Sequence, residues 1–238
     1  MNSILENQLL ENEIFEYCKN NDLSGLKSLS IKSDYKIHKD CFIYASKNNN
    51  LEMVQFLSKY IKPTYILNKK CFLFACQNNN LEMLRYLRRI CSNSSFHKFC
   101  SFYASKNNNL EMLKFLKHEK GFFEWNRDCC FQAVSNNNLE MLRFLREKTP
   151  CPWDEDCCWK AVENNNLEIL HFLRESEKNN PCPWDKNKCL NAICDNNLEI
   201  LHYIQNSNKK EFKLENIPIP TRVKLFLEKE KNQNFILE

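Results

Sequence analysis

The chain has 238 residues, 43% of them hydrophobic and 27% charged, a balance that belongs to a folded protein rather than a disordered one. Its 34 Lys and Arg are offset by 30 Asp and Glu, and the formal charge of +4 is too mild for a nucleic-acid binder. The only two glycines, Gly25 and Gly121, stand far apart, which excludes a P-loop and a dinucleotide fingerprint.

From the N-terminus, Met1 to Asn12 is expected to form a polar-faced helix or strap that caps the first repeat. Its apolar residues are broken by Glu6, Asn7 and Gln8, so it does not read as a secretory signal. A first, degenerate repeat follows, YCKNNDLS from Tyr17. Five segments then share Ala-x-x-Asn-Asn-Asn-Leu-Glu, beginning at Ala45, Ala75, Ala104, Ala133 and Ala161, and a sixth reads AICDNNLE from Ala192. The recurring leucines, Leu23, Leu51, Leu81, Leu110, Leu139, Leu167 and Leu198, are spaced 28, 30, 29, 29, 28 and 31 residues apart. A period near 29 predicts a solenoid of stacked units, because no single unit can bury its apolar side alone.

Each repeat divides into two short helices. The first runs in the second repeat from about Cys41 to Asn48, with Ala45 and Ser46 small enough for neighbouring repeats to approach closely. The asparagines end it, since Asn accepts left-handed backbone and caps helices. Leu51, Val54, Phe56 and Leu57 then make the apolar stripe of the second helix, as do Leu81, Leu84, Tyr86 and Leu87 one repeat later. After the last repeat, the prolines of Ile217-Pro218-Ile219-Pro220 predict an extended linker. Thr221 can then cap a final helix from Arg222 to about Lys231. The domain expectation is thus a repeat domain over 1–205, of about seven units with an N-terminal cap, and a linker with a capping helix over 206–238.

This pattern resembles the ankyrin repeat. Asp40-Cys41-Phe42 falls where that family carries Thr-Pro-Leu, Ala45-Ser46 where it carries Ala-Ala, and Asn49-Asn50-Leu51-Glu52 where it carries Gly-His-Leu-Glu. The Cys-Pro-Trp-Asp runs at Cys151–Asp154 and Cys182–Asp185 look like a divergent ankyrin subgroup of amoebae and large DNA viruses. The resemblance spans about residues 12 to 205, with Asn in place of the usual inter-helix glycine and Cys in place of the usual proline. It implies an all-α, ankyrin-like alpha solenoid of helix-turn-helix units whose concave side holds a partner protein. A second implied reading is a substrate-recruiting adaptor, with "IPIPTRVKLFLE" docking onto a ubiquitin ligase.

On the expected concave side, the residue before the first Ala is Tyr44, Phe74 and Tyr103 in three successive repeats, then Gln132, Lys160 and Asn191. The pair after the two small residues, Lys47/Asn48, Gln77/Asn78 and Lys106/Asn107, projects to the same side. Tyr44, Lys47, Phe74, Gln77, Tyr103 and Lys106 therefore form the candidate partner-binding row. Trp153 and Trp184, at equivalent linker positions, are further candidates, since exposed Trp often anchors interfaces. Arg85, Arg88, Arg89, Arg143 and Arg146 are expected on a solvated convex face.

No catalytic or metal site is expected. Five scattered histidines give no HExxH, and the fourteen cysteines lack the CxxC spacing of zinc sites. Cys41, Cys71, Cys100, Cys129 and Cys157 share one position and are expected to be buried, reduced thiols, which places the chain in the cytoplasm or nucleus. The expectation is therefore a monomer with no cofactor, no nucleic acid, no membrane contact and one partner protein.

Overall fold

The computed structural model describes residues 2–29, 38, 40–60, 69–91, 96–97, 99–119, 125–147, 150–176, 180–185, 188–189 and 198–206. The expected C-terminal linker, capping helix and docking segment, together with Asn191, lie outside the described residues. The chain divides into two bodies, Met1–Glu124 and Trp125–Glu238. The N-terminal body holds α1 (Asn2–Lys19), α2 (Leu23–Ser28), α3 (Asp40–Lys47), α4 (Leu51–Ser58), α5 (Lys69–Gln77), α6 (Leu81–Ile90), α7 (Cys100–Lys106) and α8 (Leu110–His118). The C-terminal body holds α9 (Arg127–Ser135), α10 (Leu139–Arg146), α11 (Glu155–Glu163), α12 (Leu167–Glu175) and α13 (Leu198–Asn206). Within each body the helices stack: α1 on α3, α3 on α5, α5 on α7, and α9 on α11, with partner helices packed beside them. The described structure is all helical, and it contains no helix long and apolar enough to cross a membrane.

The three asparagines between the helices do three different jobs. The middle one, Asn21, Asn49, Asn79, Asn108, Asn137 or Asn165, has a φ between 53° and 59°. It is the left-handed residue of a Schellman turn: in the second repeat Asn49 N donates to Ser46 O and Asn50 N to Ala45 O. The third asparagine caps the next helix, as where Asn50 Oδ1 accepts from Met53 N at 2.8 Å, and Asn80, Asn109, Asn138 and Asn166 repeat the bond.

The same side chains bridge repeats. Asn80 Nδ2 donates to Asn49 Oδ1 at 2.8 Å, Asn109 to Asn79 at 2.7 Å and Asn166 to Asn137 at 3.1 Å. The first asparagine reaches back to the preceding repeat: Asn78 Nδ2 to Ser46 O at 3.0 Å, Asn107 to Cys76 O at 2.8 Å, Asn164 to Val134 O at 2.8 Å. Each of those carbonyls, in the last turn of a first helix, already accepts the N–H of the left-handed asparagine, and the side-chain amide from the next repeat is a second donor to it. Asn48, Asn78, Asn107 and Asn164 are therefore staples between repeats, correcting their assignment to a partner-facing pair.

The core alternates small and large. Cys41, Cys71, Cys100, Cys129 and Cys157, and the alanines four residues later, are all buried. Met53, Val54 and Leu57 fill the second-helix side, and Met83/Leu84/Leu87, Met112/Leu113/Leu116, Met141/Leu142/Leu145 and Ile169/Leu170/Leu173 repeat them. The buried stripe thus begins with Met rather than including Phe56 or Tyr86. Those rings stand half-exposed on the outer side, where Arg85 covers Phe115 of the next repeat at 5.9 Å and Arg143 covers Phe172 at 5.5 Å. Arg88 is not solvated: it is 7% exposed, bonded to Glu119 at 2.7 Å and seated over Phe96 at 5.1 Å.

Two differences sit at the chain start. The cap and the first helix of repeat one are one continuous helix, α1, whose Ile14 and Cys18 are buried. At the position of Met53, α2 carries Gly25, because the Tyr17 ring fills that space; a Cβ there would lie 2.3 Å from Tyr17 Cε1.

Candidate protein-binding face

A helix that buries positions 41, 42, 45 and 46 must turn positions 40, 43, 44 and 47 outward, since those four lie on the opposite side at 100° per residue. In α3 these are Asp40, Ile43, Tyr44 and Lys47. In α5 they are Lys70, Leu73, Phe74 and Gln77, and in the α7 repeat Phe99, Phe102, Tyr103 and Lys106. Ile43, Tyr44, Leu73, Phe74, Phe102 and Tyr103 are all half-buried, and Phe99 is 41% exposed. Because α3, α5 and α7 pack in sequence, their shared register places seven apolar side chains on one face of the N-terminal body. Phe102 and Tyr103 meet edge to face at 5.1 Å, and Phe15 of α1 meets Tyr44 at 5.5 Å, extending the aromatic surface onto the first helix.

Of the residues expected here, Tyr44, Phe74 and Tyr103 sit in register, with Lys47 and Lys106 exposed and Gln77 half-buried beside them. Neither Lys47 nor Lys106 has an ion-pair partner among the described residues, while Asp40 lies 3.6 Å from His38. Ile43, Leu73, Phe99, Phe102 and Phe15 were missed by following one position per repeat. The i, i+3, i+4, i+7 spacing from Asp40 already marks Ile43, and from Lys70 it marks Leu73.

The equivalent face of the C-terminal body is different in kind. It carries Asp128, Phe131, Gln132 and Ser135 on α9, and Asp156, Trp159, Lys160 and Glu163 on α11. Here several charges on or beside the face are paired. Lys160 pairs with Glu163 at 2.5 Å, Lys188 pairs with Asp156, and Arg127 lies 3.7 Å from Asp154. Lys188 and Lys160 lie 4.8 Å and 5.7 Å from the centre of the Trp159 ring.

The Cys-Pro-Trp-Asp segments fold alike. Cys151 N donates to Leu145 O and Cys182 N to Leu173 O, both at 2.9 Å. Arg146 and Arg174 donate to the Cys151 and Cys182 carbonyls. The same guanidinium groups cover Trp153 at 3.6 Å and Trp184 at 4.6 Å. Both tryptophans are half-buried, each with a ring face occupied by its own arginine, whereas Trp125 is 4% exposed.

Thirteen of the cysteines are described, all of them buried, and no disulfide joins any two of them. Hydrogen bonds from Cys157 and Cys158, then burial, push the Cys182 thiol far up, and Cys18 with burial does the same to Cys41. Burial pushes the Cys189 thiol up to about 12. Such thiols are protonated at neutral pH and poor nucleophiles. Among the described residues no group of three or more His, Cys, Asp or Glu side chains is arranged to hold a metal. His171 Nδ1 and Glu175 Oε1 lie 3.0 Å apart on the surface, next to Tyr203.

No protein-family model matches the chain, and no curated protein matches it.

Proposed function

We propose that this chain is a non-catalytic, ankyrin-like repeat solenoid that binds a partner protein on the first-helix face of its N-terminal body. The observation that carries the reading is the part-exposed patch on α3, α5 and α7: apolar side chains in register beside Lys47 and Lys106, which have no ion-pair partner among the described residues. Clusters of this kind, rich in aromatic residues and part-exposed on a rigid helical scaffold, are the usual seat of binding hot spots. Tyr44, Phe74 and Tyr103 form the centre, with Lys47, Gln77 and Lys106 at the edge. Trp153 and Trp184 are secondary contacts, since one face of each ring is already occupied. The support from the sequence is the repeat pattern and its likeness to ankyrin repeats, a scaffold whose ordinary work is binding.

A photo-crosslinking amino acid tests the reading when placed at position 74 and, separately, at position 132. Position 74 is expected to trap a defined partner protein in native cells that position 132 does not. Equal trapping at both positions, or trapping at position 132 alone, removes the reading.

A further inference from the structure

We propose that the segment held on the face of α3, α5 and α7 is an acidic one, a stretch of partner protein in which bulky apolar residues alternate with Asp or Glu. This inference rests on the proposed binding role of that face. Its first support is charge. Lys47 and Lys106 end their helices exposed and without an ion-pair partner among the described residues. The face's acid, Asp40, lies against His38. Two lysines against one described acid leave the patch with a positive formal charge, which favours a negative partner in both encounter rate and register.

The second support is the contrast with the other body. On α11 the lysine of the equivalent face, Lys160, has Glu163 beside it, and Asp156 of the same face is met by Lys188 from outside the helix. The same scaffold can therefore neutralise its own lysines, yet among the described residues no acid forms an ion pair with Lys47 or Lys106. A helix C-terminus favours lysine through its dipole alone. That explains the lysines but not the aromatic patch they flank.

The third support is the mixture of side chains. Ile43 and Leu73 lie among the rings, and aliphatic groups make poor platforms for stacked bases. Single-stranded nucleic acid prefers aromatic rings along a continuous cationic groove. Ile43, Leu73 and Phe74 instead suit Phe, Leu or Trp anchors from a polypeptide, with carboxylates reaching the lysine ammonium groups as charge-assisted hydrogen bonds.

The test is selection of a random 12-residue peptide display library on the full chain at low salt. The selected pool is expected to be enriched at least twofold in both Asp/Glu and Phe/Leu/Trp over the starting library. Selection on a Lys47→Glu/Lys106→Glu variant, whose changes sit on exposed helix ends, should abolish the acidic enrichment and keep the apolar one. Pools rich in Lys or Arg, pools whose acid content ignores the charge reversal, or no enrichment at all overturn the inference. An apolar pool without acid that is lost on Phe74→Ala leaves the binding face standing and removes only its acidic partner. A pool retained on Phe74→Ala removes the face itself. Concentration-dependent self-association that the same Phe74→Ala variant abolishes would make the occupant a second copy of the chain, and would also overturn it.

Discussion

The two bodies are built by the same rules and finished differently. Both use the left-handed middle asparagine, the capping third asparagine, the buried cysteine that opens each first helix and the alanine one turn later. On the outward side they part. The N-terminal body presents Tyr44, Leu73, Phe74, Phe102 and Tyr103, all half-buried. The C-terminal body presents Gln132 together with Lys160 and Glu163, the last two paired with each other, and Trp159 lies beneath two lysines. Repetition thus marks the residues that build the scaffold, and the outward positions are where the two bodies differ. Core composition differs too. Phe42 and Phe72 are buried where the C-terminal body has Cys130 and Cys158. There the linker cysteines close in, with the Cys151 carbonyl 3.7 Å from the Cys130 sulfur and the Cys182 carbonyl 4.0 Å from that of Cys158.

The largest expected effect that separates the bodies comes from alkali. A buried thiol whose folded pKa is raised stabilises the fold below its unfolded value of about 8.5, and that stability is lost as pH climbs toward the folded value. Cys41 and Cys76 carry raised values in one body, and Cys151, Cys182 and Cys189 in the other. Each contributes a loss of roughly 1.4 kcal/mol per pH unit above that threshold. All four tryptophans, Trp125, Trp153, Trp159 and Trp184, lie in the C-terminal body, so their fluorescence reports on that body alone. In reductant, the fluorescence transition on raising pH from 8 to 11 should come no later than the loss of helical circular dichroism. A fluorescence signal that outlasts the helical signal would contradict the thiol account.

Next in size is the pair Phe72→Ala and Cys158→Ala, at the same repeat position. Phe72 packs edge to face on Phe96 at 5.2 Å, and its loss should cost about 3–5 kcal/mol in denaturant unfolding. Cys158→Ala removes one heavy atom and should cost about 1 kcal/mol. Equal costs would mean that the two cores are not packed as differently as the side chains imply.

Asn79→Ala and Asn137→Ala should each cost about 1–2 kcal/mol, because alanine must be forced into the left-handed region. They sit at the same place in different bodies, and each accepts from the next repeat's asparagine. Asn→Gly at either site should recover most of the backbone part. A silent substitution in one body would show that the turn is not shared.

Much of this was legible in the sequence. The repeated leucines sit at the first residue of α4, α6, α8, α10 and α12, and the cysteine column is buried as its spacing implied. What the sequence hid was contact across repeats. Nothing in "Asn-Asn-Asn" separates a capping residue from a left-handed one or from a staple, since the roles depend on which carbonyl the fold brings within reach. Arg88 reads as a surface residue until Glu119, distant in sequence, is placed 2.7 Å from it. The aromatic patch was half visible: following one position per repeat found Phe74 and passed over Leu73 beside it.

The central claim is that partner binding belongs to the face of α3, α5 and α7, and affinity for the trapped partner tests it most directly. Isothermal titration of the intact chain should be compared with Phe74→Ala and Tyr103→Ala on one side, and Gln132→Ala and Lys160→Ala on the other. The first two should each weaken binding about tenfold or more, a cost of about 1.4 kcal/mol, with melting temperature little changed. The second two should leave it within about twofold, since 0.4 kcal/mol is the scale of a rim contact. Equal losses on both faces, or a loss confined to Gln132 and Lys160, would contradict the account.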